Sequence, residues 1–337
     1  MSEFDNINGI YAKDTTLRAG ITALRDTVVG QTIKPLTVTE NGTYTANPAE
    51  GTYGYSPVTV DVQEQPWEPL EDGYSNFWFE LTDDTLSPWL NFSAKNEDAI
   101  IDWGDGSGEV ALDTLTPTHT YAKAGKYIVK VKGVTGIARQ HTVPYTDYTK
   151  ILQYVELNNE VTAIAATGLY MCVNLKQIVL SSNITTLSSD ALGTCVALQS
   201  LDLSYITSFD ASACRFDYSL SDVTIGASVV TIPTQLFQYC RSLRKITLPS
   251  TVTSIAGGAF QYTSLTEMHI LATTPPTLAG TALSNTPDTL VIYVPVGTLS
   301  AYQTAWSTYA DHIVEEGSRL SAAQLRKIQS ESTEEMR

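Results

Sequence analysis

The chain has 337 residues, a formal net charge of −16, 43% hydrophobic residues and 17% charged residues. This composition excludes a disordered tail, and the length predicts two to four modules. Thirty-six acidic residues against twenty basic ones argue against nucleic acid as a partner, because phosphate binding needs an electropositive surface. No stretch approaches the roughly 20 apolar residues of a membrane span, so no membrane insertion is expected.

The N-terminal part of the chain, before Asn76, divides into a helix, a β-module and a linker. Residues 1–30 are predicted to be a helical attachment segment, with a short helix over 15–29. Residues 31–64 alternate apolar and polar positions around the turn signal ENGT and predict a small β-module. The proline-containing residues 65–75 predict an extended linker.

The predicted helix carries a narrow apolar stripe with helical spacing: Leu17, Ile21, Leu24 and Val28. A helix of this length is marginal alone and must pack on a partner. The stripe either docks on this chain or forms a small bundle with copies of itself, and both alternatives stay open.

The N-terminal helix and the stretches TENGTY and GYSPVTVDV resemble the N-terminal portion of tailed-phage structural proteins. In those proteins this portion precedes variable C-terminal domains. The resemblance implies that the N-terminal region attaches the chain to phage capsid or tail proteins.

Residues 76–133 contain the pieces FWFELT, WGDGSG and HTYAKAGKYIVKVKG, which resemble a β-sandwich of the polycystic-kidney-disease (PKD) type, an immunoglobulin-like fold. Three acidic residues around the glycine turn are calcium candidates: Asp102, Asp105 and Glu109. Their spacing lacks the regular ligand alternation of a calcium loop. A hairpin turn, in which Asp side chains accept backbone N–H bonds beside a structural His119, is therefore the favoured interpretation, and no metal or cofactor is predicted.

From Val155 to Val294 the chain repeats one pattern. Strand-like apolar runs end at positions 157, 180, 203, 225, 248, 270 and 294. Their period of roughly 23 residues predicts a leucine-rich solenoid whose turns must stack to form a core. The repeats resemble the BspA-like leucine-rich repeats of bacterial surface proteins and of many phage and gut-microbe proteins.

One slot of the repeat holds Cys172, Cys195 and Cys240, and Thr263 takes it in the next repeat. Because Thr cannot join a disulfide framework, the slot predicts small buried residues at a corner of the solenoid. The remaining predicted boundaries are a connector or cap (134–150), the solenoid (151–297), a capping helix (298–316) and a charged tail (317–337).

The expected fold class is thus mainly β: an N-terminal helix and β-module, a PKD-like sandwich, and a leucine-rich solenoid with a C-terminal capping helix. No GxSxG motif, P-loop, dinucleotide-binding glycine set or metal-ligand His spacing is found, which favours a non-enzymatic protein.

The two resemblances favour a phage virion protein of the fibre, decoration or receptor-binding type. It is expected to be a homo-oligomer that binds a host-surface glycan or protein through the repeats. The opening MSEFDNINGI lacks the basic and apolar regions of a signal peptide, which weighs against the alternative, a bacterial cell-surface adhesin. A carbohydrate-active enzyme is the least favoured hypothesis.

Overall fold

A computed structural model describes residues 73–82, 87–88, 90–139 and 151–318, together with four N-terminal strands as backbone. The chain divides into two compact units, Met1–Pro69 and Leu70–Arg337.

Within the part of the N-terminal unit that the structure describes, the strands form two pairs. Strand β1 (Ile10–Ala12) runs parallel to β2 (Leu36–Val38), and β3 (Gly42–Ala46) runs antiparallel to β4 (Val58–Val62). Three of these strands fall within the β-module predicted over residues 31–64. The predicted helix over 15–29, with Leu17, Ile21, Leu24 and Val28, lies outside the described residues.

The second unit begins with an antiparallel sheet in the order β7–β6–β8–β5. Its strands are β5 (Ser75–Leu81), β6 (Phe92–Asp102), β7 (Glu109–Ala111) and β8 (Gly125–Ile137). Phe77, Phe79 and Leu81 of β5 lie in the hydrophobic core, and the other side chains of this strand are also buried, except that of Glu80. The described residues of this region form one sheet, so the predicted PKD-type sandwich of two facing sheets is not confirmed.

The same sheet continues directly into the repeats. The free edge of β5 pairs antiparallel with β9 (Leu152–Glu156), the first strand of the solenoid, and β11 (Gln177–Val179) pairs parallel with β9. Strand β10 (Ala163–Ile164) of the first turn pairs parallel with β8. The sheet therefore covers the N-terminal end of the solenoid, which would otherwise expose unpaired backbone groups.

Each solenoid turn contributes one longer and one shorter strand. The longer strands after β11 are β13 (Ser200–Leu203), β15 (Asp222–Ile225), β17 (Lys245–Leu248), β19 (Glu267–Ile270) and β21 (Val291–Val294). The shorter ones after β10 are β12 (Thr186–Leu187), β14 (Ser208–Phe209), β16 (Thr231–Ile232), β18 (Ser254–Ile255) and β20 (Thr277–Leu278). The predicted apolar runs coincide with the longer strands, and the mainly β, leucine-rich solenoid is confirmed.

The longer strands form one ladder along the solenoid and the shorter strands form a second, and strand pairing alternates between the two ladders. The longer strands pair as β9–β11, β13–β15 and β17–β19–β21, and the shorter ones as β8–β10, β12–β14 and β16–β18–β20. Where one ladder is interrupted between two turns, the other is paired. Every junction between successive turns, from β9 to β21, is thus closed by at least one pair of strands.

A third contact runs along a corner of the solenoid where residues adopt positive φ. Backbone N–H groups at this corner donate to carbonyls of the next turn, for example Phe216 to Gln238 (2.8 Å) and Tyr239 to Gln261 (2.9 Å). The corner is therefore held in register by hydrogen bonds, although it contains no strand.

One hydrophobic cluster extends from Phe77 in β5 to Ile313 at the C-terminal end. There, α1 (Leu299–Ala305) and a 3-10 helix (Ser307–His312) lead into β22 (Ile313–Glu315), which pairs with β21. The hydroxyl of Tyr302 donates to the carbonyl of Ala272 (2.7 Å), and the indole N–H of Trp306 donates to that of Pro276 (2.9 Å). The predicted capping region thus contains a short helix followed by a strand that covers the free edge of β21.

Within the described residues, no helix combines the length and apolar character needed to cross a membrane.

Candidate binding surface

The glycine turn predicted as a hairpin is closed by its own carboxylates. The Asp102 Oδ1 accepts the N–H of Gly104 (2.9 Å), and the Asp105 Oδ1 accepts the N–H of Ser107 (3.0 Å). The Asp105 Oδ2 lies 2.8 Å from the His119 Nε2. Hydrogen bonds from Ser107, and then from His119, lower the pKa of Asp105 to about 2.

The third calcium candidate has a separate partner, because the Glu109 Oε1 accepts a hydrogen bond from the Tyr74 hydroxyl. Gly104 has a φ of +71°, and a Cβ there would lie 2.2 Å from the carbonyl oxygen of Ile128, so the tight turn requires glycine. Among the described residues, no group of three or more His, Cys, Asp or Glu side chains is placed to hold a metal ion. The geometry supports a structural turn.

The shared slot of the repeats is buried as predicted. Cys172, Cys195 and Cys240 are at most 1% exposed and are free thiols, and Thr263 is buried in the same slot. Burial raises the pKa of Cys172 to about 12, which keeps the thiol protonated and unreactive. The slot has a packing role.

Asp217 occupies this slot in the irregular repeat, a feature that the sequence analysis missed. It follows Cys195 and precedes Cys240 by one repeat each, so counting the repeat would have found it. The side chain is fully buried; Oδ1 accepts the N–H of Cys195 (2.8 Å), whereas Oδ2 has no hydrogen-bond partner. Burial raises the pKa of Asp217 well above its usual range, because the charged form of the carboxyl is disfavoured away from water.

A second buried carboxyl lies where the antiparallel sheet meets the solenoid. Glu156 of β9 is paired in register with Asn76 of β5 and is 6% exposed. Burial raises its pKa to about 7, and a hydrogen bond with Asn76 acts in the opposite direction. Glu156 therefore titrates near neutral pH.

The corner with positive φ carries three stacked aromatic side chains, Phe216, Tyr239 and Tyr262, which we call the aromatic column. The ring centroids of Phe216 and Tyr239 are 4.8 Å apart, those of Tyr239 and Tyr262 are 4.4 Å apart, and the rings are within 13° of parallel. The three residues have φ of 61° to 63°. This backbone conformation favours Gly and Asn, so the corner itself gives no reason for aromatic residues.

An arginine is held against the column. The Arg241 guanidinium carbon lies 5.6 Å from the ring centroid of Tyr239 and 5.5 Å from that of Tyr218, which packs edge-on against Phe216. Tyr218 is 41% exposed and Tyr262 38% exposed. We call these five residues the aromatic–arginine patch.

The two arginines near the column differ in their partners. The Arg215 Nε donates to the Asp190 Oδ1 at 2.6 Å, so a carboxylate neutralises its charge. Arg241 contacts aromatic rings, and within the described residues no ion pair or hydrogen bond engages its guanidinium. Arg241 is thus an exposed cation with unused donors in an otherwise acidic chain.

Comparisons with known proteins bear on the repeats. Residues 145–267 match six copies of the family described as BspA type leucine-rich repeat region. No curated protein matches the chain.

Among solved structures, a leucine-rich cell surface protein of Faecalibacterium prausnitzii is 20% identical, with a TM-score of 0.33, over 58% of this chain and 60% of that one. The pneumococcal vaccine antigen PcpA is 16% identical, with a TM-score of 0.38, over 49% and 51%. A leucine-rich repeat protein of Bacteroides ovatus is 15% identical, with a TM-score of 0.28, over 60% and 55%. The chain thus spans between half and three fifths of these proteins.

The periodic strands, the buried slots and the family match agree on the central part of the molecule. Residues 145–267 match the BspA-type leucine-rich repeat family, and the described part of this range forms the leucine-rich solenoid.

Proposed function

We propose that this chain is a non-enzymatic, adhesin-like protein whose repeat solenoid binds a macromolecule on a host or environmental surface. The observation that carries the proposal is the rigid stack of BspA-type repeats, which presents exposed aromatic and arginine side chains at one corner. Solenoids of this kind provide extended binding surfaces, because each turn adds equivalent exposed positions to its neighbour.

The bacterial cell surface is the location that the proposal favours. BspA-type repeats resemble those of bacterial surface proteins, and this family match covers most of the solenoid. The phage virion assignment depends on residues 15–64, most of which lie outside the described residues, and no comparison supports it. Attachment through the N-terminal region and homo-oligomer formation stay predictions in either location.

Binding is tested with the full chain coated on a surface and with cultured epithelial cells added. We expect saturable cell attachment that Leu248→Asp abolishes, because this change disrupts a fully buried repeat position. Leu248→Met conserves the apolar core and is the matched control, which should retain attachment. Equal attachment to the wild type and to Leu248→Asp would contradict a role for folded repeats.

Location is tested with an antibody against the solenoid, applied to intact producing bacteria and to purified phage particles from the same culture. Labelling of intact cells is the expected result. Labelling confined to particles would instead establish the virion assignment.

A further inference from the structure

We propose that the aromatic–arginine patch binds a protein partner through a segment that carries carboxylates. This inference rests on the proposed function and assigns its contact surface. The patch is formed by Phe216, Tyr218, Tyr239, Tyr262 and Arg241, which come from three successive turns of the solenoid.

The solenoid fixes the patch before any partner arrives. The N–H of Tyr239 donates to the carbonyl of Gln261 in the next turn, and the N–H of Tyr262 donates to that of Ser284 (3.2 Å). Parallel stacking then limits the rotation of the rings. A partner that docks here orders few side chains, which lowers the entropic cost of binding.

Arg241 supplies the charge that selects the partner. A guanidinium has five N–H donors in its plane, and the contacts of Arg241 with the rings of Tyr218 and Tyr239 do not use these donors as hydrogen bonds. Tyr218 and Tyr239 flank the guanidinium, and no carboxylate within the described residues engages it. A carboxylate from a partner would form two parallel, charge-assisted hydrogen bonds with this group.

The arrangement of the rings favours a protein over a carbohydrate. Sugars stack on the open faces of aromatic rings, but Tyr239 has Phe216 on one face and Tyr262 on the other. Tyr239 therefore offers a partner its ring edge and its hydroxyl group, with Arg241 beside them. Tyr and Arg are the residues enriched at the energetic centres of protein–protein interfaces.

The charge of the whole chain makes the site selective. With a net charge of −16, the chain as a whole repels an acidic segment at long range. An exposed arginine without a neutralising carboxylate creates a local attraction at one place, which orients the partner on the solenoid.

The test uses the immobilised full chain and a displayed library of random peptides. We expect the wild type to enrich peptides that contain Asp or Glu. The most enriched peptide, synthesised and titrated, should bind Arg241→Ala and Tyr239→Ala about tenfold more weakly or worse, as is usual when a residue at the energetic centre is truncated. Arg241→Lys should recover part of the affinity, because it keeps the charge and loses the paired donors.

Lys176→Ala is the matched control, because the Lys176 ammonium lies over the ring of Tyr154 (5.8 Å) outside the patch. It should bind the peptide as the wild type does. Melting curves check that each variant is folded, and the exposed position of Arg241 keeps the test valid if Tyr239→Ala is unstable.

Three results would overturn the inference: no enrichment, enriched peptides without carboxylates, or equal binding by Arg241→Ala. Binding of hyaluronan, a polysaccharide with carboxylates, that is lost in Arg241→Ala while peptides fail to bind would assign the patch to a glycan instead. In the cell-attachment assay, Arg241→Ala separates the two proposals. If Arg241→Ala still attaches as the wild type does, the patch is not the contact surface but the proposed function stands. If the wild type itself does not attach, the proposed function is refuted.

Discussion

A carboxyl group at position 217 stands where neighbouring turns have a thiol or a hydroxyl. Thiols and hydroxyls stay uncharged at physiological pH, whereas burial disfavours the charged form of Asp217 and raises its pKa. Asp217 retains one hydrogen bond, from the N–H of Cys195, but its second oxygen is buried without a partner. The irregular repeat therefore buries a carboxyl group in a slot where the neighbouring repeats have Cys or Thr.

Asp217 should make stability fall as pH rises. Because its pKa is higher in the folded than in the unfolded chain, its contribution is fully present below the unfolded pKa, near 4, and is lost as pH rises toward the folded value. Asp217→Asn stays neutral and should show a smaller fall in Tm between pH 4 and pH 8. Since Glu156, with its pKa raised to about 7, contributes in the same direction, the comparison is made in a Glu156→Gln background. Parallel Tm curves for the two chains would contradict this account.

The core slots should not tolerate charge. Leu201 is 2% exposed and Leu248 is fully buried between stacked turns. Leu248→Asp should lower the free energy of unfolding by more than about 4 kcal/mol, because an unpaired carboxylate enters an apolar interior. Denaturant titration measures the change, and Leu201→Asp should behave alike. Unchanged unfolding of either variant would show that the assigned register is wrong.

The glycine turn between β6 and β7 should not need a cation. Its carboxylates of Asp102, Asp105 and Glu109 accept hydrogen bonds from the protein itself, so removing calcium leaves these bonds intact. Melting curves with a chelator and with added calcium should therefore overlap. A difference of more than about 5 °C, which corresponds to roughly 1 kcal/mol or more, would indicate a metal site after all.

The repeat period predicts the elements of the solenoid well, because a nearly constant period imposes one pattern on every strand. The junction before it could not be predicted in the same way. Strand β9 has the pattern of a repeat strand, yet one of its partners is β5, and the rest of the antiparallel sheet lies between them in the sequence. Such a long-range antiparallel pairing leaves no local signal in the sequence, because the two strands are far apart along the chain.

The aromatic–arginine patch could not be predicted from the sequence for a different reason. Phe216, Tyr239 and Tyr262 recur with the period of the repeat and were visible in the sequence. Their stacking depends on a corner with positive φ, which aromatic residues do not signal. The cation–π contacts of Arg241 depend in turn on that stacking, so only the three-dimensional arrangement identifies the patch.

At the scale of the molecule, the unit Leu70–Arg337 should fold without the unit Met1–Pro69. It contains one hydrophobic cluster that extends through the antiparallel sheet and the solenoid. A chain that begins at Leu70 should therefore keep a cooperative melting transition. A chain that begins at Ile151 should have a lower Tm and aggregate, because the strand edges covered by β5 and β8 become exposed. Equal stability of the two truncated chains would contradict a capping role for the sheet.

The alternation of strand pairing between the two ladders has a mechanical consequence. Solenoid hydrogen bonds run along the stacking axis, so a pull along that axis loads each junction in turn. If both ladders were interrupted between the same two turns, no strand pairing would hold those turns together. Because the interruptions are offset, one ladder still joins the turns wherever the other is interrupted. Here the gap between β11 and β13 lies beside the pair β12–β14, and the gap between β15 and β17 lies beside the pair β16–β18. We therefore expect the solenoid to resist separation at any one turn.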